Sequence, residues 1–268
     1  MTFAPRLLFY ARVWLRLAAM SFDEIWATRL NSIGWLLGKL VRLVFFFIFI
    51  VAIFNHTQTL KGYRLPEAVL FFLTFNLVDL TAQLFFRGIY GIRRIVTEGE
   101  LDYYLIQPIS PLFRVAAQTV DFLDFLTAIP VAAASFWVIG RLPVETLTLQ
   151  NFILYLCLVA NGVGIAFAVH VAVASAAVIT QQLDNTIWVY RDLMILGRFP
   201  VDIYASGVQL ILTFVIPIAV MTSFPAKALL GVLTWPWVAF ALGLSAASTI
   251  GALKLWDYAL SHYSSVSS

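Results

Sequence analysis

The chain has 268 residues, of which 62% are hydrophobic and 12% are charged, and its mean hydropathy is +0.91. A soluble domain of this length does not need so much apolar surface, so the composition excludes an ordinary soluble enzyme. The net charge of +3 is mild, which favours a membrane protein over a protein that binds nucleic acid.

The longest apolar stretches predict helices. Residues 43–54 and 153–178 are apolar on almost all sides, whereas the strands of a membrane barrel would alternate in segments of about 10 residues. Only helices and closed barrels satisfy the backbone inside a bilayer. The predicted fold class is therefore an all-α polytopic membrane protein.

The first 32 residues are expected to form an amphipathic helix on the membrane surface. They mix Leu7 and Phe9 with Arg12 and Arg16, a pattern typical of interfacial helices. The arginines interrupt any apolar core of a signal peptide. Two roles stay open for this helix: a structural anchor, or a lever that moves with the first span.

Six transmembrane helices are expected within residues 33–257, where charges and helix breakers separate the apolar runs. A short re-entrant helical segment is expected between the fifth and sixth spans, because Ala228–Leu233 is too apolar for a solvated loop. Residues 258–268 are interpreted as a cytoplasmic tail, so the whole chain is one transmembrane domain. The six spans are expected over residues 33–54, 66–90, 116–139, 151–178, 201–222 and 236–257.

The lysines and arginines indicate the orientation. Four of the 17 are assigned to the side opposite the N-terminus, and the other thirteen to the N-terminal side. The positive-inside rule then predicts that both termini lie in the cytoplasm. The expected location is a bacterial-type inner membrane. The four on the outside are Lys61, Arg64, Arg141 and Lys227.

Two ionisable residues are expected deep in the membrane. Asp79 falls in the second span and His170 in the fourth, and intramembrane ionisable groups are candidates for function. Both are therefore candidate residues of a translocation path. A hydrogen-bonded structural carboxylate is the alternative for Asp79, and a secondary transporter or channel that uses Asp79 is the alternative function for the chain.

No catalytic or metal-binding pattern is present in the sequence. Cys157 is the single cysteine, and the three histidines are far apart. The stretch Gly34–Leu40 resembles a phosphate-binding loop, but it is one residue short between its glycines and lacks the Ser or Thr that would hold magnesium. The chain is therefore not expected to be an enzyme, to hold a metal or to bind a cofactor. A membrane-embedded enzyme or an assembly scaffold is a third alternative.

Two polar, proline-containing segments interrupt the apolar sequence, and both are expected on the cytoplasmic side. In the first, Gly99 permits a turn into a short helix that two prolines end stiffly. Its acidic residues can pair with a basic groove on a partner protein, while the apolar ridge of residues 103–106 fills that groove. The residues singled out in the first segment are Glu98, Gly99, Glu100, Leu101, Asp102, Tyr103, Tyr104, Leu105, Pro108 and Pro111, and those in the second cytoplasmic loop are Arg198, Pro200, Asp202 and Tyr204.

These segments carry a resemblance to a known family. The pattern Gly-x-Leu-Asp-x-x-Leu-x-x-Pro-x-x-Pro at Gly99–Pro111 resembles the signature of the ABC-2-type permeases, in the branch once catalogued as a domain of unknown function. Phe199–Tyr204, Ile216-Pro217 and Phe224–Gly231 are similar to that branch's path through the fifth span and outward. The resemblance covers nearly the whole chain.

The resemblance implies a function and partners. It implies the membrane subunit of an ATP-driven exporter, which forms the translocation path and works with two copies of a separate cytoplasmic ATPase. It also implies a second permease, homologous or identical, beside this chain in the lipid bilayer. ATP and magnesium would be bound by the ATPase. The loop after the second span would carry the coupling helix that docks into the ATPase.

Overall fold

The computed structural model describes residues 3–180 and 186–264, which are almost entirely helical and include no strand. Residues 1 and 2 of the expected interfacial helix and residues 265–268 of the expected tail lie outside this part. Five helices in it are long and apolar enough to cross a membrane. The predicted all-α polytopic membrane fold is confirmed.

The first two helices are separated by a single residue, Thr28. Helix α1 covers Phe3–Ala27 and helix α2 covers Arg29–Phe54, so the first span begins earlier than expected. We call the end of the bundle where α1 and α2 meet the α1 end. The opposite end, which carries the loop from residue 55 to residue 64, is the far end.

The next helices cross back and forth between these two ends. Helix α3 runs to the α1 end, where a 3₁₀ turn (Arg87–Gly91) and three short helices form a compact loop before α7 returns. Because Asp121 caps α7 by accepting from the backbone N–H of Leu123 and Asp124, the third span begins after that loop and not at residue 116. The helices are α3 (Leu65–Phe86), α4 (Ile92–Thr97), α5 (Glu100–Leu105), α6 (Pro111–Ala117), α7 (Phe122–Ile139) and α8 (Leu149–Thr180).

Helix α8 packs closely against the last helix, α12 (Trp235–Ser261), and the two run in the same direction. The side-chain amide of Asn161 donates to the carbonyl of Ala241 at 3.2 Å. One turn further along, a Cβ on Gly164 would lie 3.0 Å from the Ser245 hydroxyl, so the small residue permits this approach. Because α8 and α12 run in the same direction, the chain that connects them must cross the membrane once more.

This fifth crossing is made by residues 186–204 and is not one continuous helix. Helix α9 (Thr186–Met194) is followed by two 3₁₀ turns, Ile195–Arg198 and Val201–Ile203. Pro200 keeps Phe199 extended and so interrupts the helix. Four contacts trace the path from the α1 end to the far end: Trp188 with Tyr90, Arg191 with Asp79, Arg198 with Phe75, and Asp202 with Tyr63.

The expected fifth span, 201–222, is instead part of a re-entrant pair. The segments Ser206–Val215, which contains α10 (Ser206–Leu210), and Ala219–Leu229, which ends in α11 (Phe224–Leu229), are bent by 85° about Pro217. The pair starts beside Asp202, whose carbonyl accepts from Gln209, and ends beside Asn151, both toward the far end. At its deepest point it reaches Gly162 of α8. The re-entrant element is confirmed, but it begins inside the predicted span.

The irregular backbone of the fifth crossing is hydrogen-bonded by neighbouring side chains. The N–H of Val201 donates to the Ser223 hydroxyl at 3.2 Å, and the Tyr204 hydroxyl donates to the Leu196 carbonyl at 2.9 Å. Non-helical backbone is tolerated at membrane depth only where protein satisfies it in this way.

Candidate functional site

The loop at the α1 end is rigid because the backbones of its elements are in direct contact. Gly88 lies so close to the carbonyl of Val115 on α6 that a Cβ would collide with it. The side-chain amide of Gln118 donates to the carbonyl of Gly88 at 2.8 Å. The loop is also fixed to α1, because the Tyr10 hydroxyl accepts the backbone N–H of Ser110.

A left-handed glycine starts helix α5. Gly99 has φ of +74°, a conformation that only glycine adopts without strain, and it turns the chain from α4 into α5. Arg94 on α4 spans this turn, with its guanidinium 3.2 Å from both Glu98 and Glu100. These carboxylates are therefore paired within the loop.

Helix α5 has one face inside the protein and one outside. Leu101 is fully buried, and Tyr104 points inward, where its hydroxyl donates to Gln118 at 3.2 Å. Tyr103 is 68% exposed and Ile106 is 80% exposed, with Leu105 between them also exposed. The expected outward ridge of residues 103–106 is therefore corrected: Tyr104 belongs to the interior, since one helical turn separates it from Leu101.

The buried face of α5 ties the loop to two long helices. Leu101 and Tyr104 belong to one apolar cluster with Ala174 of α8 and Trp256 of α12. Beside this cluster, burial and the neighbouring Asp102 carboxylate raise the pKa of the Tyr263 hydroxyl. Helix α5 therefore belongs to the same packed cluster as the ends of α8 and α12.

The two prolines of the first polar segment take different positions. Pro108 is exposed in the turn after α5. Pro111 begins α6, where its missing N–H costs nothing, and Ser110 caps that helix through the N–H of Phe113. The prolines therefore separate two short helices.

A cavity of about 1110 Å³ lies between α2, α3, the start of α7 and the fifth crossing. At the α1 end its wall includes Leu30 and Trp35, which are also exposed on the protein surface. Toward the far end it reaches Phe46 and Phe72. About 24 Å of helix α2 separates Leu30 from Phe46.

The walls of the cavity carry ion pairs. The Lys39 ammonium lies 3.0 Å from the Asp121 carboxylate and 2.8 Å from the Asp124 carboxylate. The Arg191 guanidinium lies 3.5 Å from the Asp79 carboxylate. These contacts join α2 to α7 and α3 to the fifth crossing.

Aromatic rings close the cavity toward the far end. The rings of Phe46 and Phe72 stack at 4.6 Å, and Phe199 lies 5.4 Å from Phe46. This layer leaves the cavity open at the α1 end and shut at the other.

The second polar segment does not lie at the α1 end, which corrects its assignment to a cytoplasmic loop. Asp202 lies 2.8 Å from the Lys227 ammonium and accepts from the Tyr63 hydroxyl at 3.0 Å. Burial, followed by the Asp202 carboxylate, raises the pKa of Tyr63. Tyr63 belongs to the far-end loop, so the segment Arg198, Pro200, Asp202, Tyr204 runs from mid-membrane to the far end.

The two intramembrane candidates are separated by the structure. Asp79 lines the cavity. His170 is fully buried outside it, against the rings of Phe86, Tyr90 and Tyr190, with its Nδ1 2.7 Å from the Ala166 carbonyl. Only Asp79 is placed where it could meet a transported molecule.

The sequence did not predict that Lys39, Arg42, Asp121, Asp124 and Arg191 share one cavity. Lys39 and Asp121 are 82 residues apart. The sequence nevertheless contained a signal for this cluster, because residues of opposite charge recur near the same ends of the predicted spans. Within residues 3–180 and 186–264, no three His, Cys, Asp or Glu side chains are placed to hold a metal ion.

Comparison with protein families gives a match over most of the chain. A family model described as "ABC-2 family transporter protein" matches residues 40–267. It therefore covers the loop between α3 and α7 and every span except the first part of α2. A search of curated proteins found no match to this chain.

Proposed function

The chain belongs to the ABC-2 family of transporter proteins, and from this premise we propose that it is the permease subunit of an ATP-driven exporter, coupled to a separate cytoplasmic ATPase through the loop between α3 and α7. Members of the family are membrane subunits without an ATPase of their own. ATP and magnesium are then bound by the partner.

Helix α5 is the observation that carries the proposal. A docking element needs an exposed apolar face and a rigid mount, and α5 has both. Tyr103, Leu105 and Ile106 are exposed, while Leu101 and Tyr104 fix the helix to the cluster that holds α8 and α12. Exposed aromatic residues on a rigid support are typical of interaction hot spots.

The charges support an orientation with the α1 end in the cytoplasm of a bacterial-type inner membrane. Positive residues concentrate at cytoplasmic ends. The far-end loops of the described chain carry three positive residues, Lys61, Arg64 and Arg141. Helix α1 and the loop at the α1 end carry more, among them Arg12 and Arg16. The others are Arg6, Arg87, Arg93, Arg94 and Arg114, and Arg29 begins α2 at the same end. Both termini then face the cytoplasm, and the cavity opens inward.

A complete exporter needs further subunits. Helix α2 is exposed along most of its length beside the mouth of the cavity, which supports a second permease, homologous or identical, against this side. Two permeases present two α5 helices, so two ATPase subunits complete the assembly.

The proposal is tested by co-purifying the permease with a co-expressed ABC ATPase. Tyr103→Ala and Ile106→Ala remove exposed apolar area from α5 without touching the core. We expect each to weaken association by about tenfold or more, and to uncouple ATP hydrolysis from export.

Two variants serve as matched controls. Tyr104→Phe removes only the internal hydrogen bond to Gln118, and Val144→Ala removes an exposed apolar side chain at the far end. Both are expected to keep full association. Equal association of all four variants would contradict the docking role of α5.

A further inference from the structure

Two arginines on the cavity wall have no carboxylate partner. Among the described residues, neither Arg42 on α2 nor Arg198 on the fifth crossing has a carboxylate within 4.0 Å, although the other three cationic residues of the wall do. Those three are Lys39, Arg87 and Arg191. Within the described part of the chain, the buried Nε–H of Arg198 also has no hydrogen-bond acceptor.

The two arginines are neighbours in space. The Arg198 guanidinium lies 4.9 Å from the centre of the Phe46 ring, and Phe46 is one helical turn from Arg42 on the same face of α2. Arg198 feels the positive charges of Arg42 and Arg191 and, more weakly than that of Arg42, the negative charge of Asp79. Two like charges beside each other in a membrane cavity are costly unless an anion joins them.

The surroundings of the pair define the rest of the ligand. Arg198 also lies over the ring of Phe75, 5.5 Å away, and Phe72 completes an apolar wall on the same side. At this level the wall is formed mainly by phenylalanines, and the side-chain amide of Asn76, which also lines the cavity, donates to the carbonyl of Phe72. The site therefore suits a molecule with a negative head and an apolar body.

We propose that Arg42 and Arg198 bind the anionic head group, carboxylate or phosphate, of an amphiphile whose apolar part lies against Phe46, Phe72 and Phe75. The assignment of this amphiphile as cargo rests on the proposed function. The head group lies below the aromatic layer, so the amphiphile enters from the α1 end and waits there until the layer opens.

Binding is tested on the full chain in a neutral detergent, without an ATPase. Trp35 and Trp188 line the cavity, so a brominated ligand bound there quenches tryptophan fluorescence. We expect dibromostearate to quench saturably and about tenfold or more tighter than the uncharged dibromostearyl alcohol. Quenching that is equal for the acid and the alcohol would overturn the site.

Variants identify the site. The double variant Arg42→Gln, Arg198→Gln is expected to lose the preference for the acid, whereas the corresponding double lysine variant keeps most of it. Arg141→Gln removes a far-end charge and is expected to change nothing. If the double glutamine variant does not fold, Arg42→Gln alone is measured, since Arg42 is exposed and holds no ion pair. A preference that survives in these glutamine variants would overturn the proposal.

A second arm distinguishes cargo from a resident phospholipid. With the ATPase co-reconstituted, stearate is expected to stimulate ATP hydrolysis by the wild-type complex and not by the double glutamine variant. Displacement of dibromostearate by phosphatidylglycerol, without any stimulation by stearate, would overturn the assignment to cargo. Failure of the ATPase to associate contradicts the proposed function instead, and leaves the binding result readable.

Discussion

Asp202 joins three separate elements through one carboxylate. It lies on the fifth crossing, its ion-pair partner Lys227 lies on the re-entrant pair, and its hydrogen-bond donor Tyr63 lies on the far-end loop. Because the Asp202 side chain is 34% exposed, the pair contributes less than a fully buried one would. The triad nevertheless joins the fifth crossing, the re-entrant pair and the far-end loop at the far end of the bundle.

The first expected outcome concerns this pair. Asp202→Asn and Lys227→Met each leave one charge without its partner, and we expect each to lower the free energy of unfolding by about 1–3 kcal/mol. The double variant should lose less than the sum, as measured by thermal unfolding in detergent. Glu145→Gln, an exposed far-end change, is the control. Strict additivity would show that the two side chains do not interact.

The second prediction at the residue scale concerns the left-handed backbone of Gly99. Nothing lies within 4 Å of the position of a Cβ, so Gly99→Ala tests the left-handed backbone alone. We expect a loss of about 1–2 kcal/mol in the free energy of unfolding, and a smaller loss for Gly99→Asn. Gly243→Ala, at an equally open position inside α12, is expected to be neutral or stabilising. An equal response at the two glycines would contradict the conformational argument.

At the scale of elements, the fifth crossing is the unusual part. It carries Arg191, Arg198 and Asp202 through the membrane on broken helix, and each charge is met by a group on a neighbouring element. A crossing of this kind depends on side chains from elsewhere for its backbone hydrogen bonds. A regular helix such as α8 does not.

This dependence leads to a matched pair of serine variants. Ser223→Ala removes the only described acceptor for the N–H of Val201, and a buried N–H without a partner costs about 1–3 kcal/mol. Ser175→Ala removes an equally buried hydroxyl that bonds only to a carbonyl of its own helix, so its loss is expected to be well below 1 kcal/mol. Thermal unfolding of the two variants in one detergent compares them. If Ser175→Ala lowered the free energy of unfolding as much as Ser223→Ala, the fifth crossing would not depend on side chains from other elements in this way.

At the scale of the whole molecule, three layers follow one another along the bundle. The loop with α5 lies at the α1 end, the charged cavity lies in the middle, and the aromatic layer with the Asp202 triad closes the far end. Helices α8 and α12 connect the loop to the rest. In the exporter that we propose, cargo would move outward when the far-end layer opens.

The arrangement of layers predicts the accessibility of single cysteines. In a Cys157→Ser background, Gln58→Cys and Ala205→Cys are expected to react with a membrane-impermeant maleimide from outside intact cells, and Glu98→Cys only after permeabilisation. Labelling of position 205 only from inside would contradict the course of the fifth crossing. External labelling of position 98 would contradict the orientation and the docking of α5.

The sequence by itself determined the features that depend on composition and local pattern. Apolar runs of about 20 residues can only be membrane helices, so the fold class followed from hydropathy. Gly99 and the prolines marked a short helix in the loop, because their backbone limits are local. The apolar stretch Ala228–Leu233 indicated that the chain re-enters the membrane.

Only the tertiary structure decided which polar residues enter the membrane. Hydropathy counts Arg191, Arg198 and Asp202 against a span, because it cannot see that Asp79 and Lys227 pair with two of them and that Arg198 lies over the ring of Phe75. For the same reason the apolar re-entrant pair was taken for the fifth span. The inward face of Tyr104 and the unpaired arginines of the cavity likewise depend on contacts between elements, which no local pattern contains.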